Sequence, residues 1–143
     1  MKKYIVTLNE HQLLLISQCI EDLHRFYGGQ MELFNTATML EHKNFMELRD
    51  KLNELKPLVT PQLRGGQCYG WDGGNCPNKN QRKFLAETYY IYREILHKQT
   101  DPKDIWNVYT SETLRCADSG EAIIIKVARC TACTPKHSSL PNI

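Results

Sequence analysis

The spacing of apolar side chains predicts a long helix near the start of the chain. Asn9 is a suitable N-cap, and Gln12, three residues later, completes a capping-box pair. The next residues place an apolar stripe on one side of the helix: Leu13, Ile16, Ile20, Leu23 and Tyr27. We expect this stripe to face the core, and we expect His24, on the polar side, to be solvated.

The glycine pair Gly28-Gly29 leaves the end of this helix open to two interpretations. Glycine commonly follows the last turn of a helix. Met31 and Phe34 nevertheless continue the apolar stripe in phase, because the positions from Leu13 to Met31 span about five full turns. The segment is either two helices joined at the glycines or one long helix whose glycines admit a neighbouring backbone. The phase favours the long helix.

Two further helical patterns lie later in the chain. The first places four apolar side chains on one face and is stopped by Pro57, because a residue before proline resists helical geometry; they are Phe45, Leu48, Leu52 and Leu55. The second runs over residues 79–98 after Asn78, a suitable N-cap. Its apolar and tyrosine positions form two adjacent stripes, so we expect it to be buried on two sides and to favour a homo-oligomer.

Strand patterns lie at the two ends of the chain. Tyr4, Val6 and Leu8 alternate with their neighbours, and residues 122–128 are the richest in β-formers. Asp118-Ser119-Gly120 is a typical tight-turn sequence, which predicts a hairpin over residues 105–128. The predicted fold is therefore α+β, with three or four dominant helices and a small antiparallel sheet built from the N-terminal strand and this hairpin.

Length and composition indicate one globular domain. We expect it to span residues 1–130, followed by a Thr-, Ser- and Pro-rich tail over residues 131–143. The formal net charge of +2 is too small to argue for binding to nucleic acid or to a membrane. No apolar run approaches the roughly 18 residues that span a bilayer, and the N-terminal run is too short for a signal peptide. We therefore expect a cytoplasmic protein.

The six cysteines predict neither a disulfide framework nor a metal site. Cytosolic thiols stay reduced, so disulfides are not expected. Cys130-x-x-Cys133, followed by His137, is the only spacing with metal character, and it lacks a compact second pair. We expect free thiols, no metal ion and no cofactor.

The loop over residues 67–78 is the main candidate for a functional site. Its glycines and Pro77 let the backbone turn sharply, and it leads into the basic first turn of the 79–98 helix. Aromatic side chains there could stack on a flat ring, polar ones could bind its edges, and basic ones could neutralise phosphate. The predicted ligand-binding residues are Tyr69, Trp71, Asp72, Asn75, Arg82 and Lys83.

Two alternatives compete with a binding site at this loop. In the first, Tyr69 and Trp71 fill the core under a long loop and the glycines only turn the chain. In the second, the protein is an enzyme that uses Asp72 or Cys76. Phosphate-binding fingerprints, a nucleophile elbow and histidine pairs with metal-ligand spacing are all missing from the sequence, so no catalytic residue is predicted.

Several segments together resemble a group of small, uncharacterised proteins encoded by phages and mobile elements of gut bacteria. The resemblance covers roughly residues 3–110 and is carried by residues 4–8, 28–33, 55–61, 69–78 and 81–97. It implies no activity, so no functional residue is carried over. It does imply a bacterial host and a protein that acts by occupying something the host needs.

The resemblance and the loop together lead to two expectations about function. The first is a non-enzymatic protein that sequesters a small anionic ligand, such as a nucleotide immune signal of the host. The second is a stoichiometric inhibitor that covers a host defence protein. Both are analogies with other phage proteins rather than deductions from these residues.

Overall fold

The computed structural model describes residues 1–128, and two long helices form its centre. α1 (Glu10–Gly28) and α5 (Lys79–Gln99) pack against each other. Three shorter helices lie between them in sequence: α2 (Phe34–Met39), α3 (Phe45–Asn53) and α4 (Lys56–Val59). Two 3₁₀ turns come after α5, at Val108–Thr110 and Ala117–Ser119.

The predicted α+β fold with an antiparallel sheet is wrong, because residues 1–128 contain helices and no strand. The expected hairpin over residues 105–128 is interrupted by the two 3₁₀ turns. At the predicted tight turn, the Cys116 N–H donates to the Ser119 hydroxyl at 3.0 Å, and Ser119 is buried. The turn packs against α5, so this stretch is anchored to a helix instead of folding back on itself.

α1 also departs from the prediction, because its polar side faces the core. Its buried residues are Ser17, Glu21, Asp22, His24 and Gly28. Part of the apolar stripe lies at the surface: Ile16, Leu23 and Tyr27 are 39%, 47% and 40% exposed. The expectation that this stripe faces the core and that His24 is solvated is therefore wrong.

The buried polar side chains of α1 are stabilised by hydrogen bonds to distant segments. The Asp22 carboxylate accepts from the Asn35 and Thr36 N–H groups at 3.0 and 2.7 Å, and from the Thr36 hydroxyl at 2.7 Å. Leu33, the N-cap residue of α2, gives no side-chain cap of its own. Asp22 therefore caps α2 from a neighbouring helix, and a buried carboxylate with three donors is well satisfied.

α1 ends at the glycine pair, so the interpretation as one long helix is wrong. Gly29 has φ 106°, and the Gln30 N–H donates to the Arg25 carbonyl at 2.8 Å, which closes the last turn. The Gly28 carbonyl accepts from the Tyr69 N–H at 2.8 Å. The glycines thus break the helix and also admit a neighbouring backbone, namely the loop that carries the candidate site.

Two polar side chains connect these segments: Lys56 bonds the start of the loop to α4, and Gln81 bonds α1 and α4 to α5. Lys56 is buried, and its ammonium group donates to the carbonyls of Gly65 (2.7 Å) and Gln67. The Gln81 side-chain amide donates to the Tyr27 carbonyl at 2.8 Å and to the Val59 carbonyl at 3.1 Å. The two Gln81 bonds satisfy carbonyls at the ends of α1 and α4 and join both helices to α5.

None of the helices found in residues 1–128 combines the length and the apolar character that crossing a membrane requires. The predicted tail over residues 131–143 and the Cys130–Cys133 pair lie outside the described residues. The single domain over residues 1–130 stays a prediction.

We expect Gly29→Ala to lower the free energy of unfolding by about 2–3 kcal/mol. An added Cβ would meet a positive φ and would lie 2.9 Å from Leu63 Cδ1 and 3.2 Å from the Gln67 carbonyl oxygen. The measurement is urea denaturation followed by circular dichroism.

Gly65→Ala is the matched control for this prediction. Gly65 also has a positive φ, but an added Cβ there would meet nothing within 4 Å. Gly65→Ala should lower the free energy of unfolding by only about 1 kcal/mol, because only the strain of the positive φ contributes. Equal losses in the two variants would show that the close contact of the loop with Gly29 contributes nothing.

Candidate ligand-binding site

The loop places Tyr69 and Trp71 in a small cleft between α1 and α5. The cleft has a volume of about 180 Å³. Its walls are formed by the C-terminal part of α1, the middle of α5 and the docked loop. The lining residues are His24, Arg25, Gly28, Gln30, Cys68, Tyr69, Trp71, Tyr89 and Tyr92. We refer to it as the aromatic cleft.

Four rings of the aromatic cleft contact one another, and we refer to them as the aromatic cluster: His24, Trp71, Tyr89 and Tyr92. The Trp71 and Tyr89 ring centroids are 5.1 Å apart, with an interplanar angle of 38°. Tyr92 meets Tyr89 edge to face at 5.6 Å, and His24 lies 5.7 and 5.5 Å from the two tyrosines. Tyr89 and Tyr92 share a helix face because they are three residues apart.

His24 brings a buried imidazole to the aromatic cluster. Its Nδ1 lies 3.0 Å from the Leu85 carbonyl oxygen and 3.3 Å from the Thr88 hydroxyl. A carbonyl only accepts, so Nδ1 carries the proton and Nε2 is left as an acceptor. Burial, with a smaller contribution from the charge of Arg25, lowers the pKa of His24 to about 4, although the Leu85 hydrogen bond raises it. The ring is therefore neutral at pH 7.

Arg25 brings a positive charge to the edge of the aromatic cleft. Its Nε and Nη2 donate to Glu21 at 3.0 and 2.8 Å, and its Nη1 donates to Gln30 at 2.8 Å. Burial alone would lower the pKa of Arg25, but the hydrogen bonds and charge of Glu21 raise it. Burial also raises the pKa of Tyr92, so that phenol stays protonated. The cleft thus combines neutral rings with a fixed guanidinium.

Two other predicted residues, Asp72 and Asn75, do not line the aromatic cleft. Asp72 Oδ1 accepts from the Gly74 N–H at 2.9 Å, which is the hydrogen bond of an Asx turn. Asn75 is exposed. Asp72 therefore stabilises the turn after Trp71, and Asn75 lies on the outer side of the loop.

Arg82 and Lys83, the predicted phosphate-binding pair, also lie away from the cleft walls. The Arg82 side chain packs under Gly73, donates to the Cys76 carbonyl at 3.3 Å, and pairs with Asp118 at 3.7 Å. Lys83 is exposed. Arg82 precedes Tyr89 by seven residues, so it lies on the same helix face, about 10 Å away along the axis.

Cys76, the nucleophile of the enzyme alternative, is buried. Its side chain is 1% exposed, and its thiol donates to the Asn78 carbonyl at 3.7 Å. Cys68, in contrast, is exposed and lines the aromatic cleft. Cys76 therefore packs beneath the loop at the start of α5.

Sequence reasoning found Tyr69 and Trp71 but missed the helical half of the cleft. His24 and Arg25 were missed because the polar side of α1 was expected to face solvent. Tyr89 and Tyr92 were noticed only as part of a broad aromatic face. That face was the one available indication of an aromatic site on α5.

Comparisons with known proteins identified no relative of this chain. No protein-family model matches the chain, and searches of curated proteins and of solved structures found no match. The resemblance to phage and mobile-element proteins stays a prediction.

The buried His24 predicts that the protein loses stability in mild acid. The folded-state pKa, about 4, lies below the ordinary value of 6.5, so only the unfolded chain takes up a proton at His24 between these pH values. Stability is fully present above pH 6.5 and declines as the pH falls toward 4. We expect a loss of about 2 kcal/mol from this group between pH 7 and pH 5.

The measurement is the free energy of unfolding at pH 7 and pH 5 for the wild type and His24→Gln. Glutamine keeps an N–H donor for the Leu85 carbonyl but does not titrate. The variant should be less stable at pH 7 and should lose about 2 kcal/mol less than the wild type on acidification. An identical pH dependence in the two proteins would contradict the assignment.

Proposed function

We propose that the protein is a non-enzymatic binding protein that captures a small, ring-bearing anion of the nucleotide type in the aromatic cleft. The observation that supports this most directly is the contact between the Trp71 and Tyr89 rings, whose centroids are 5.1 Å apart, in a cleft that Arg25 also lines. Flat rings stack on such faces, and an anion is drawn to the adjacent cation.

The size of the aromatic cleft limits what it holds. A volume of about 180 Å³ is well below that of pockets that enclose drug-sized ligands, roughly 300–1,000 Å³. We therefore propose that one ring enters the cleft and the remainder of the ligand lies outside it. The Nε2 acceptor of His24 would bind an N–H group on the edge of that ring.

The anionic part of the ligand has two candidate partners. Arg25 lines the cleft, but its charge is largely matched by Glu21. Arg82 is about 10 Å along the same face of α5 and is matched only loosely by Asp118, at 3.7 Å. We propose that phosphate close to the ring contacts Arg25, and that a longer ligand reaches Arg82 and Lys83.

Capture without turnover agrees with the chemistry around the cleft. The side chains of His24, Arg25 and Tyr92 hold fixed protonation states near pH 7, which suits binding better than proton transfer. In the cytoplasm of a bacterial host, such a protein would act by lowering the free concentration of a nucleotide signal. This biological role rests on the resemblance to phage and mobile-element proteins.

A second candidate function is stoichiometric inhibition of a host defence protein. The observation that favours it is an exposed apolar tip after α5, where Ile105, Trp106 and Val108 project into solvent and Trp106 is 90% exposed. Exposed tryptophans often dominate the binding energy of protein interfaces. The mark of this function is a stable complex with a host protein in a pull-down without any small molecule.

We expect ADP, used as a probe, to quench the fluorescence of Trp71 in a Trp106→Phe background. Trp71 and Trp106 are the only tryptophans, so this background reports the cleft alone. Tyr89→Leu should weaken ADP binding by about tenfold or more, because stacking on one aromatic ring contributes roughly 1–3 kcal/mol. Tyr4→Leu, at an exposed tyrosine outside the cleft, is the control.

Two arginine variants then locate the phosphate. Arg82→Ala should reduce the free energy of ADP binding by more than it reduces the free energy of unfolding. The loss of stability should be small because the partner of Arg82, Asp118, is partly exposed to solvent. Equal ADP affinity in Arg82→Ala and the wild type would remove Arg82 from the site, and Arg25→Ala should then carry the loss. No quenching by ADP, together with no released nucleotide in native mass spectrometry of the purified protein, would favour the protein-binding function.

A further inference from the structure

Arg93 on α5 carries a positive charge that no acidic residue within residues 1–128 compensates. The ion pairs with an N–O distance of 4.0 Å or less in this part of the chain all join other side chains. Arg93 is nevertheless partly buried, and its Nε is a buried donor that has no hydrogen-bond partner there. A charge in such surroundings is unfavourable without a counter-charge, so Arg93 is a candidate for binding an anion.

Two tyrosine rings position the Arg93 side chain. Its Cζ lies 4.7 Å from the Tyr109 ring centroid and 6.0 Å from that of Tyr89. Its Nη2 also donates to the Val108 carbonyl at 3.1 Å, and the Tyr109 carbonyl lies 2.7 Å from His97 Nδ1. Contacts with ring faces and with a carbonyl hold the guanidinium in place and leave its charge unpaired.

Arg93 lies beside the aromatic cleft. The Tyr89 ring that it contacts is one of the two stacking rings, and its centroid is 5.1 Å from that of Trp71. Arg93 follows Tyr89 by four residues, so the two side chains are neighbours on one face of α5. Arg82, in contrast, is about 10 Å from Tyr89 along the helix axis. Of the two arginines of α5, Arg93 is therefore the nearer to the stacking rings.

The charges of Arg93 and Arg25 both act on the phenol of Tyr109. Burial and the charge of Glu21 raise the pKa of Tyr109, whereas the charges of the two arginines oppose this rise. Arg25 is paired with Glu21 at 2.8 Å. Two guanidiniums thus share one carboxylate, which leaves one positive charge in excess. The residues of the described chain that line the aromatic cleft include no carboxylate, so the lining itself does not repel an anion.

We propose that Arg93 binds the first phosphate of the ligand together with Arg25 and supplies most of the charge, because Arg25 is already paired with Glu21. The ring stacks at Trp71 and Tyr89, and the phosphate next to it neutralises Arg93. The ligand is thereby narrowed to nucleotides, since the corresponding nucleosides have no group for this contact. The inference rests on the proposed function for the ring, but the anion site can be tested without a ring.

The first test uses inorganic pyrophosphate alone. At matched ionic strength, pyrophosphate should raise the melting temperature of the wild type above that in sodium chloride, because an anion that binds only the folded state stabilises it. Arg93→Met keeps an unbranched stem and removes the charge. It should show an unchanged helical circular dichroism spectrum and no rise with pyrophosphate.

Arg115→Met is the matched control for this test. Arg115 also lies over a tyrosine ring, with its Cζ 4.6 Å from the Tyr90 centroid, and it also donates to a carbonyl, that of Gly120, at 2.7 Å. It is not among the residues that line the aromatic cleft. Arg115→Met should therefore keep the full rise in melting temperature.

The second test compares ADP with adenosine in the Trp106→Phe background, where quenching reports Trp71. Arg93→Met should weaken ADP binding by about tenfold or more, the effect of one charge-assisted contact, and should leave adenosine binding unchanged. Arg93→Lys should recover part of the ADP affinity, because it restores the charge without the bidentate geometry. A side chain that only supported the cleft would weaken the binding of ADP and adenosine equally.

The outcomes separate this inference from the proposed function. If the pyrophosphate effect depends on Arg93 but ADP does not quench Trp71, the anion site is supported and nucleotide capture is wrong. If Arg93→Met binds ADP as the wild type does, nucleotide capture is supported and Arg93 is not its phosphate-binding residue. The role of Arg93 would also be overturned by the absence of any pyrophosphate effect in the wild type, or by equal losses in Arg93→Met and Arg115→Met.

Discussion

The hydrogen bonds on the buried side of α1 determine how the rest of the molecule is arranged around this helix. A buried polar group must find a partner, and His24, Glu21 and Asp22 find theirs on α5, on α1 itself and in the α2 segment. Because these partners are specific, they set the rotation of α1 about its axis. That rotation turns His24 and Arg25 toward the aromatic cleft and leaves part of the apolar stripe at the surface.

The docked loop depends in turn on where α1 ends. Gly29 permits the close approach, the Gly28 carbonyl receives the Tyr69 N–H, and the buried Lys56 ammonium group draws in two loop carbonyls. Only with these contacts in place does Trp71 reach Tyr89. The cleft is therefore assembled by groups that take no part in its lining chemistry, such as Lys56 and Gln81.

The sequence predicted local features well and distant partnerships poorly. The starts of α1 and α5 were predictable because Asn9 and Asn78 cap their helices through contacts within three residues. The strands were wrongly predicted because the alternation of apolar and polar residues is a local signal, whereas a β-sheet ladder also needs a partner strand. The buried face of α1 was wrongly predicted because the acceptor of His24, the Leu85 carbonyl, is 61 residues away in sequence. Tyr69 and Trp71 were identified from the composition of the loop alone. The identification of His24 and Tyr92 as cleft residues would have required knowledge of how α1 pairs with α5.

The attachment of the loop at a few points has a consequence for how the protein opens. The Tyr69 N–H, the Lys56 ammonium group and the Trp71 ring attach the loop to the rest of the chain, and we expect this stretch to leave the helices at a lower free-energy cost than separation of α1 from α5. In terms of hydrogen exchange, the amide of Tyr69 would report a small local opening, and the central amides of α5 would report global unfolding. We therefore expect the two walls of the aromatic cleft to belong to different cooperative units, so that a ring would enter through fluctuations of the less stable wall.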